Sequence, residues 1–272
     1  MHVVSKKLGT VAVLLIAIMS AVTCHARQNK KAEADAGFYL SPHLSAGQTL
    51  SFITYRVISL YGTGIEDSVV TLPATGTYIF QSSPSSDIIR WKADVRMDGK
   101  RVLKNVEGEY RDHGTTTCYG GKCSLDTNAS GPFYNPTFWG TPQGELKAGE
   151  TWTVTLSQPW ELGPPGTQTV TVISVDKVNG IVVLKREGDG VGPYEGTHET
   201  ASVKKDSKIY KVATRFGRAH WSGQAVIQHG VIVSDELLCT TPVELSSPDF
   251  GTVEVQSRQY MSVLEHPGAI GA

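Results

Sequence analysis

The chain has 272 residues, 25 Lys and Arg against 26 Asp and Glu, a formal net charge of −1 and 40% hydrophobic residues. That near-neutral balance, with no long run of like charges, excludes a basic tail for nucleic acid or anionic lipid. The apolar share is enough for a true core, and Pro and Gly are spread as turn punctuation rather than gathered into a low-complexity segment.

Lys6 and Lys7 precede an unbroken apolar run from Val11 to Met19, and small or polar residues continue from Ser20 to Ala26. Charged, then apolar, then small is the order of a secretory signal peptide. The run falls short of the ~20 apolar residues a spanning helix needs. Cys24 and Ala26 supply the small side chains that a signal peptidase reads before a cut, which gives a signal peptide over 1–26. A rival reading keeps Cys24 as a lipid anchor, but Ala21 and Thr23 depart from the Leu and the smaller residue usual before an acylated cysteine. The expected location is periplasmic or secreted, with no transmembrane segment in the mature chain. Residues 27–37 are polar and aperiodic and read as a flexible leader. Residues 38–268 read as a single β-rich domain, with a subdivision near 145 as the alternative.

Helical periodicity is almost absent from that domain. Short runs rich in Val, Ile, Thr and Tyr, bounded by Gly, Pro, Asn, Asp or Ser, predict strands at Thr49–Tyr61, Ser68–Leu72, Gly76–Gln81, Ile88–Met97 and Val102–Tyr110. A long segment from Cys118 to Gly149 reads as a loop. Thr151–Ser157 is the next strand, and Thr167–Glu187 a hairpin turning at Asp176–Gly180, where Asn179-Gly180 favours positive φ. Lys208–Phe216, Gln224–Gln228, Val231–Ser234, Leu237–Thr241 and Val253–Val263 follow, with turns expected at Met97–Lys100 and Gln228–Gly230. The Leu237 strand is ended before Pro242, which has no N–H for a ladder. Strands without helical crossovers give an all-β fold, an antiparallel meander forming a sandwich or a strongly curved open barrel.

Cys118 and Cys123 enclose two glycines, so an export compartment favours a local disulfide between them. Cys239 is then left alone in an apolar strand, the setting of a small buried hydrophobe rather than a thiolate nucleophile. No motif requires a cofactor or a metal. The run Asp126–Gly131 resembles the first half of a calcium loop, but Thr137 stands where a bidentate Glu should close it, so a turn is preferred. Gly188–Gly192 follows a strand as a phosphate loop would, but no helix can begin after it. His198-Glu199 lacks the second histidine of a zinc helix. Glu107 and Glu109 share a strand face and suit acid–base work, or an ordinary cross-strand charge pattern.

The weak catalytic candidates are His220 with Ser222, two apart on one strand face, and the neighbours Asp112 and His113. Four aromatics crowd into Phe133–Trp139, and Trp160 follows. Phe133, Tyr134, Phe138, Trp139 and Trp160 are the expected ligand-binding rings, against the alternative that they plug one end of the β core. These patterns favour a non-enzyme: an exported binding or carrier module for an apolar or glycan ligand, or for an envelope protein. A hydrolase with dispersed residues and an inhibitor-type interaction protein are the alternatives.

Overall fold

The structure, a computed structural model, describes residues 40, 44, 46–81, 89–97, 100–111, 114–119, 122–126, 133–142, 146–160, 162–192, 200–249 and 251–265. All of them lie in the unit Phe38–Ala272. The fold is all-β. Its strands are β1 (Thr49–Tyr61), β2 (Ser68–Gln81), β3 (Ile89–Met97), β4 (Lys100–Arg111), β5 (Gly114–Tyr119), β6 (Lys122–Asp126), β7 (Thr151–Leu156), β8 (Gly166–Asp176), β9 (Ile181–Gly190), β10 (Thr200–Lys205), β11 (Lys208–Phe216), β12 (Ala219–Gln228), β13 (Val231–Ser247) and β14 (Gly251–Glu265), with a single-turn helix α1 (Pro136–Trp139).

One antiparallel sheet takes in every strand. Its order is β6-β5-β4-β3-β2-β1-β14-β13-β12-β9-β8-β7, so among the described residues β6 and β7 end an open sheet. The first six strands meander outward, and β14 returns to β1 along a ladder from Phe52↔Glu265 to Tyr61↔Gln256 that joins the two halves of the chain. Hairpin β10–β11 adds to β13 beyond the end of β12.

Alternation sets the two faces. In β13 from Asp235 onward the odd-numbered residues, among them Asp235, Leu237, Cys239, Val243 and Leu245, are buried, while even-numbered neighbours are more exposed. The buried faces converge because the sheet curls. The Phe133 ring lies 5.1 Å from Trp91 of β3, and the Phe133 backbone bridges Val231 of β13, although β2, β1 and β14 separate those strands in the sheet. A second cluster on the same inner face gathers Val203, Val212, Val243, Leu245 and Val255 under the β10–β11 hairpin.

Several boundaries differ from expectation. β13 runs through Pro242 because the strand changes partner there. The last β12 pair is His220↔Thr240, the first β11 pair is Phe216↔Val243, and the Pro242 carbonyl accepts from Gly217 N at 2.8 Å. A strand residue's N–H and C=O point to one side, so the missing proton faces this break and no ladder bond is lost. Likewise Pro73 lies just past the first β2–β3 pair, Ala74↔Met97, so the two segments expected at 68–72 and 76–81 are one strand. β5 and β10 have no counterpart among the expected strands, and the expected loop from Cys118 holds β6 and α1. The 167–187 hairpin stands, its turn fixed by Asp176 Oδ1, which accepts from Val178 N and Asn179 N, and by Gly180 at φ 63°. His229 and Gly230, at φ 48° and 76°, make the tight turn expected after Gln228. The turn at 98–99 lies outside the described residues.

Candidate functional site

Two regions carry the sequence-predicted residues. The inner one is built from the aromatic segment. Asn135 caps α1, its side chain accepting from Thr137 N at 3.0 Å, Pro136 opens the turn, and Gly140 leaves it at φ 78°. This turn aims Phe138 and Trp139 into the sheet. Phe133, Tyr134, Phe138 and Trp139 are between 0% and 3% exposed, and Trp160 is 2% exposed. Their faces are spent on one another: Phe138 meets Trp160 at 5.4 Å, Trp160 meets Trp221 at 5.1 Å, and Tyr134 stacks on Trp139 at 6.3 Å. The expected ligand platform is therefore an interior plug. Rings this well packed with neighbours offer no open face to a sugar or an acyl chain.

Polar groups pin the plug. Gln168 Nε2 donates to the Phe138 carbonyl at 2.6 Å and its Oε1 accepts from Trp221 Nε1 at 3.1 Å. Trp152 Nε1 donates to the Trp139 carbonyl at 2.6 Å. Beneath them lies a fully buried ion pair, in which Arg186 Nη2 reaches both oxygens of Asp235 at 2.7 and 2.6 Å. The guanidinium carbon sits 4.4 Å from the Trp139 ring centre and 5.1 Å from that of Phe138. Arg186 is opposite Gly223 of the intervening strand β12, which is in turn opposite Leu237 of β13. A Cβ at Gly223 would collide with the Glu236 carbonyl oxygen. Burial pushes the Asp235 carboxyl up to about 6, against the opposing pull of Arg186.

Sequence reading missed this pair. Its signal was parity: Arg186 continues the inward set Val182 and Leu184, and Asp235 precedes the inward Leu237 and Cys239. Cys239 is buried, and burial raises its thiol to about 11, which keeps it protonated. Glu107 and Glu109 pair with Lys92 and Arg90 of β3 at 3.2 and 2.9 Å, an ordinary cross-strand arrangement. Cys118 stands directly opposite Cys123 in the β5–β6 register. Asp112, His113, Cys24 and the His198-Glu199 pair lie outside the described residues, as does most of the 126–131 run.

The outer region holds His220 and Ser222. They share the outer face of β12, with Asp189 opposite His220 and Glu187 opposite Ser222 on β9. No hydrogen bond joins the two side chains. Around these residues β12 is paired with β9 on one side and β13 on the other. These residues line a shallow cavity of about 390 Å³ with Thr240 and Leu238. Beside it, at the break between β11 and β12, a groove of about 660 Å³ is lined by Tyr61, Arg215, Arg218, Glu244, Glu254 and Gln256, among others. Among the described residues no group of three or more His, Cys, Asp or Glu is placed to hold a metal ion, and no helix is long and apolar enough to cross a membrane.

The architecture is thus an open, strongly curved, antiparallel β-sheet with a filled interior. No family model matches the chain, and no curated protein is similar to it in sequence. Among solved structures it is similar to OmpT (in-vitro folded), an outer membrane protein of Vibrio cholerae in its trimer form. That match covers 82% of this chain and 100% of the other, at 7% identity and a TM-score of 0.26.

Proposed function

We propose that the chain is an exported envelope protein whose β domain is a non-catalytic binding module for a glycan, seated in the groove at the β11–β12 break. The observation that carries the reading is the chemistry of that groove. Tyr61, 39% exposed, offers a ring face at one side, while Arg215, Arg218, Glu244, Glu254 and Gln256 offer donors and acceptors around a volume of about 660 Å³. Ligand sites typically fall between about 300 and 1,000 Å³. A ring that stacks on C–H faces, beside groups that hydrogen-bond hydroxyls, suits a sugar better than an acyl chain.

Export rests on the leader at 1–26, and the Cys118–Cys123 register fits a crosslink formed in an oxidising compartment. Native mass spectrometry of the protein purified from its own envelope tests all three parts. The expected result is a mature chain beginning at Arg27, a mass gain on reduction and alkylation at Cys118 and Cys123, and a bound glycan lost from a Tyr61→Ala variant. A ligand-free protein whose Tyr61 ring resonances do not move with any neutral sugar would overturn the binding reading.

A further inference from the structure

The 660 Å³ groove does not end at Arg218. On the outer face, the register sets Asp189, His220 and Thr240 in one row across β9, β12 and β13. Pro242, Gln256 and Tyr61 form the next row across β13, β14 and β1. Thr240 lines the smaller cavity and Pro242 the larger. Two residues apart on one strand face, they stand about 6.8 Å from each other. Asp189 of the smaller cavity is ion-paired with Arg218 of the larger. The two hollows therefore adjoin on one face, with that exposed ion pair between them. Taken together as a trough, they follow β13 from Leu238 to Glu244 for about 20 Å.

The geometry points to a two-subsite binding site for a linear, uncharged oligosaccharide, with the Arg218–Asp189 pair at the boundary between subsites. This rests on the binding-module reading above and names the ligand's length and charge. Length follows from the adjacency of the two hollows along β13, a run longer than one small ligand needs. Charge follows from the lining: Arg218 is ion-paired with Asp189, Glu187 with Lys185, and Arg215 stands opposite Glu244, so charges of each sign already have a counter-charge and neither a polyanion nor a polycation is strongly attracted. An extended peptide is disfavoured because the strands along the trough have neighbours on both sides. Their main-chain groups are spent in ladders, which leaves only side chains to bind. Polyhydroxylated rings need nothing more than side chains of this kind.

The experiment is calorimetric titration of the purified protein with neutral cello- and chito-oligosaccharides, from disaccharide to hexasaccharide. It is run on wild type, Tyr61→Ala and His220→Ala. Affinity should rise at least about tenfold from the disaccharide to the hexasaccharide, as a second set of contacts implies. His220→Ala should remove that gain and leave disaccharide affinity unchanged, while Tyr61→Ala should weaken every member of the series. Far-ultraviolet circular dichroism checks that both variants are folded. Equal affinity along the series, or a His220→Ala variant that keeps the full gain, overturns the two-subsite inference and leaves the binding module standing. Failure of every oligosaccharide to bind wild type overturns both.

Discussion

The inner and outer faces of this sheet use similar residue types for opposite ends. Inside, Arg186 and Asp235 are fully buried and roofed by Phe138 and Trp139. Outside, Arg218 and Asp189 form the same kind of pair with about half of each side chain exposed. An ion pair excluded from water holds its neighbours in place, because losing either member strands a charge. An ion pair in water contributes little to stability and is free to exchange partners. Aromatic residues divide in the same way. Trp139 is wholly buried, whereas Tyr61 is 39% exposed. The position of a residue in the strand alternation, rather than its type, decides whether it is buried in the fold or faces solvent.

The sharpest break of this comparison is Asp235→Ala. It leaves Arg186 charged and buried, so unfolding free energy in urea should drop by about 3–5 kcal/mol. Replacing both partners, Arg186→Met with Asp235→Leu, should cost much less than the single change, because no charge is left behind. A double variant as unstable as the single one would mean that the guanidinium acts mainly by its packing on Trp139. The corresponding Arg218→Ala and Asp189→Ala variants should stay within about 0.5 kcal/mol of wild type.

A smaller effect separates the two pairs by pH. The Asp235 carboxyl titrates near 6 in the folded state against 3.8 as its ordinary value, because burial disfavours the carboxylate. Between those values the native state holds a proton that the unfolded chain has released, so stability falls as pH rises through this window and is level above it. Glu265, raised by burial, acts in the same direction. Glu66 and Asp176 are lowered, by their hydrogen bonds to Lys204 and Asn179, and lose their contribution as pH falls through their folded values. The measurement is therefore the difference between wild type and Asp235→Asn in urea midpoints from pH 4 to 7. A difference that does not change with pH would show that Asp235 stays ionised across the range.

Much of this division is legible in the sequence, but not all of it for the same reason. The strand Thr49–Tyr61 and the 167–187 hairpin are local facts, set by alternation and by the Asp176 and Gly180 turn chemistry. Pro242 misleads because its effect depends on which strand lies beside it, and the handover from β12 to β11 is a tertiary fact. The aromatic segment shows its ring density but not its direction: α1 turns Phe138 and Trp139 inward, and their partners Gln168, Arg186 and Trp221 come from later strands. Partnership between Arg186 and Asp235 spans 49 residues and reaches across β12, the strand between them. Parity places each side chain on the inner face, but only the sheet order places them within reach of each other.

The smallest effect is the most demanding on the outer face. Tyr61 ends β1 opposite Gln256, one residue after Leu60, which packs against the second core cluster. If the Tyr61 ring belongs to the trough, Tyr61→Ala should change the melting temperature only as much as an ordinary surface substitution, within about 0.5 kcal/mol. Leu60→Ala, one position away and on the other face, should cost more, because its side chain packs against the second core cluster. A Tyr61→Ala variant as unstable as Leu60→Ala would place that ring's energy in the fold. The trough would then lack its stacking surface, and the contrast between a structural inner face and a binding outer face would fail at Tyr61.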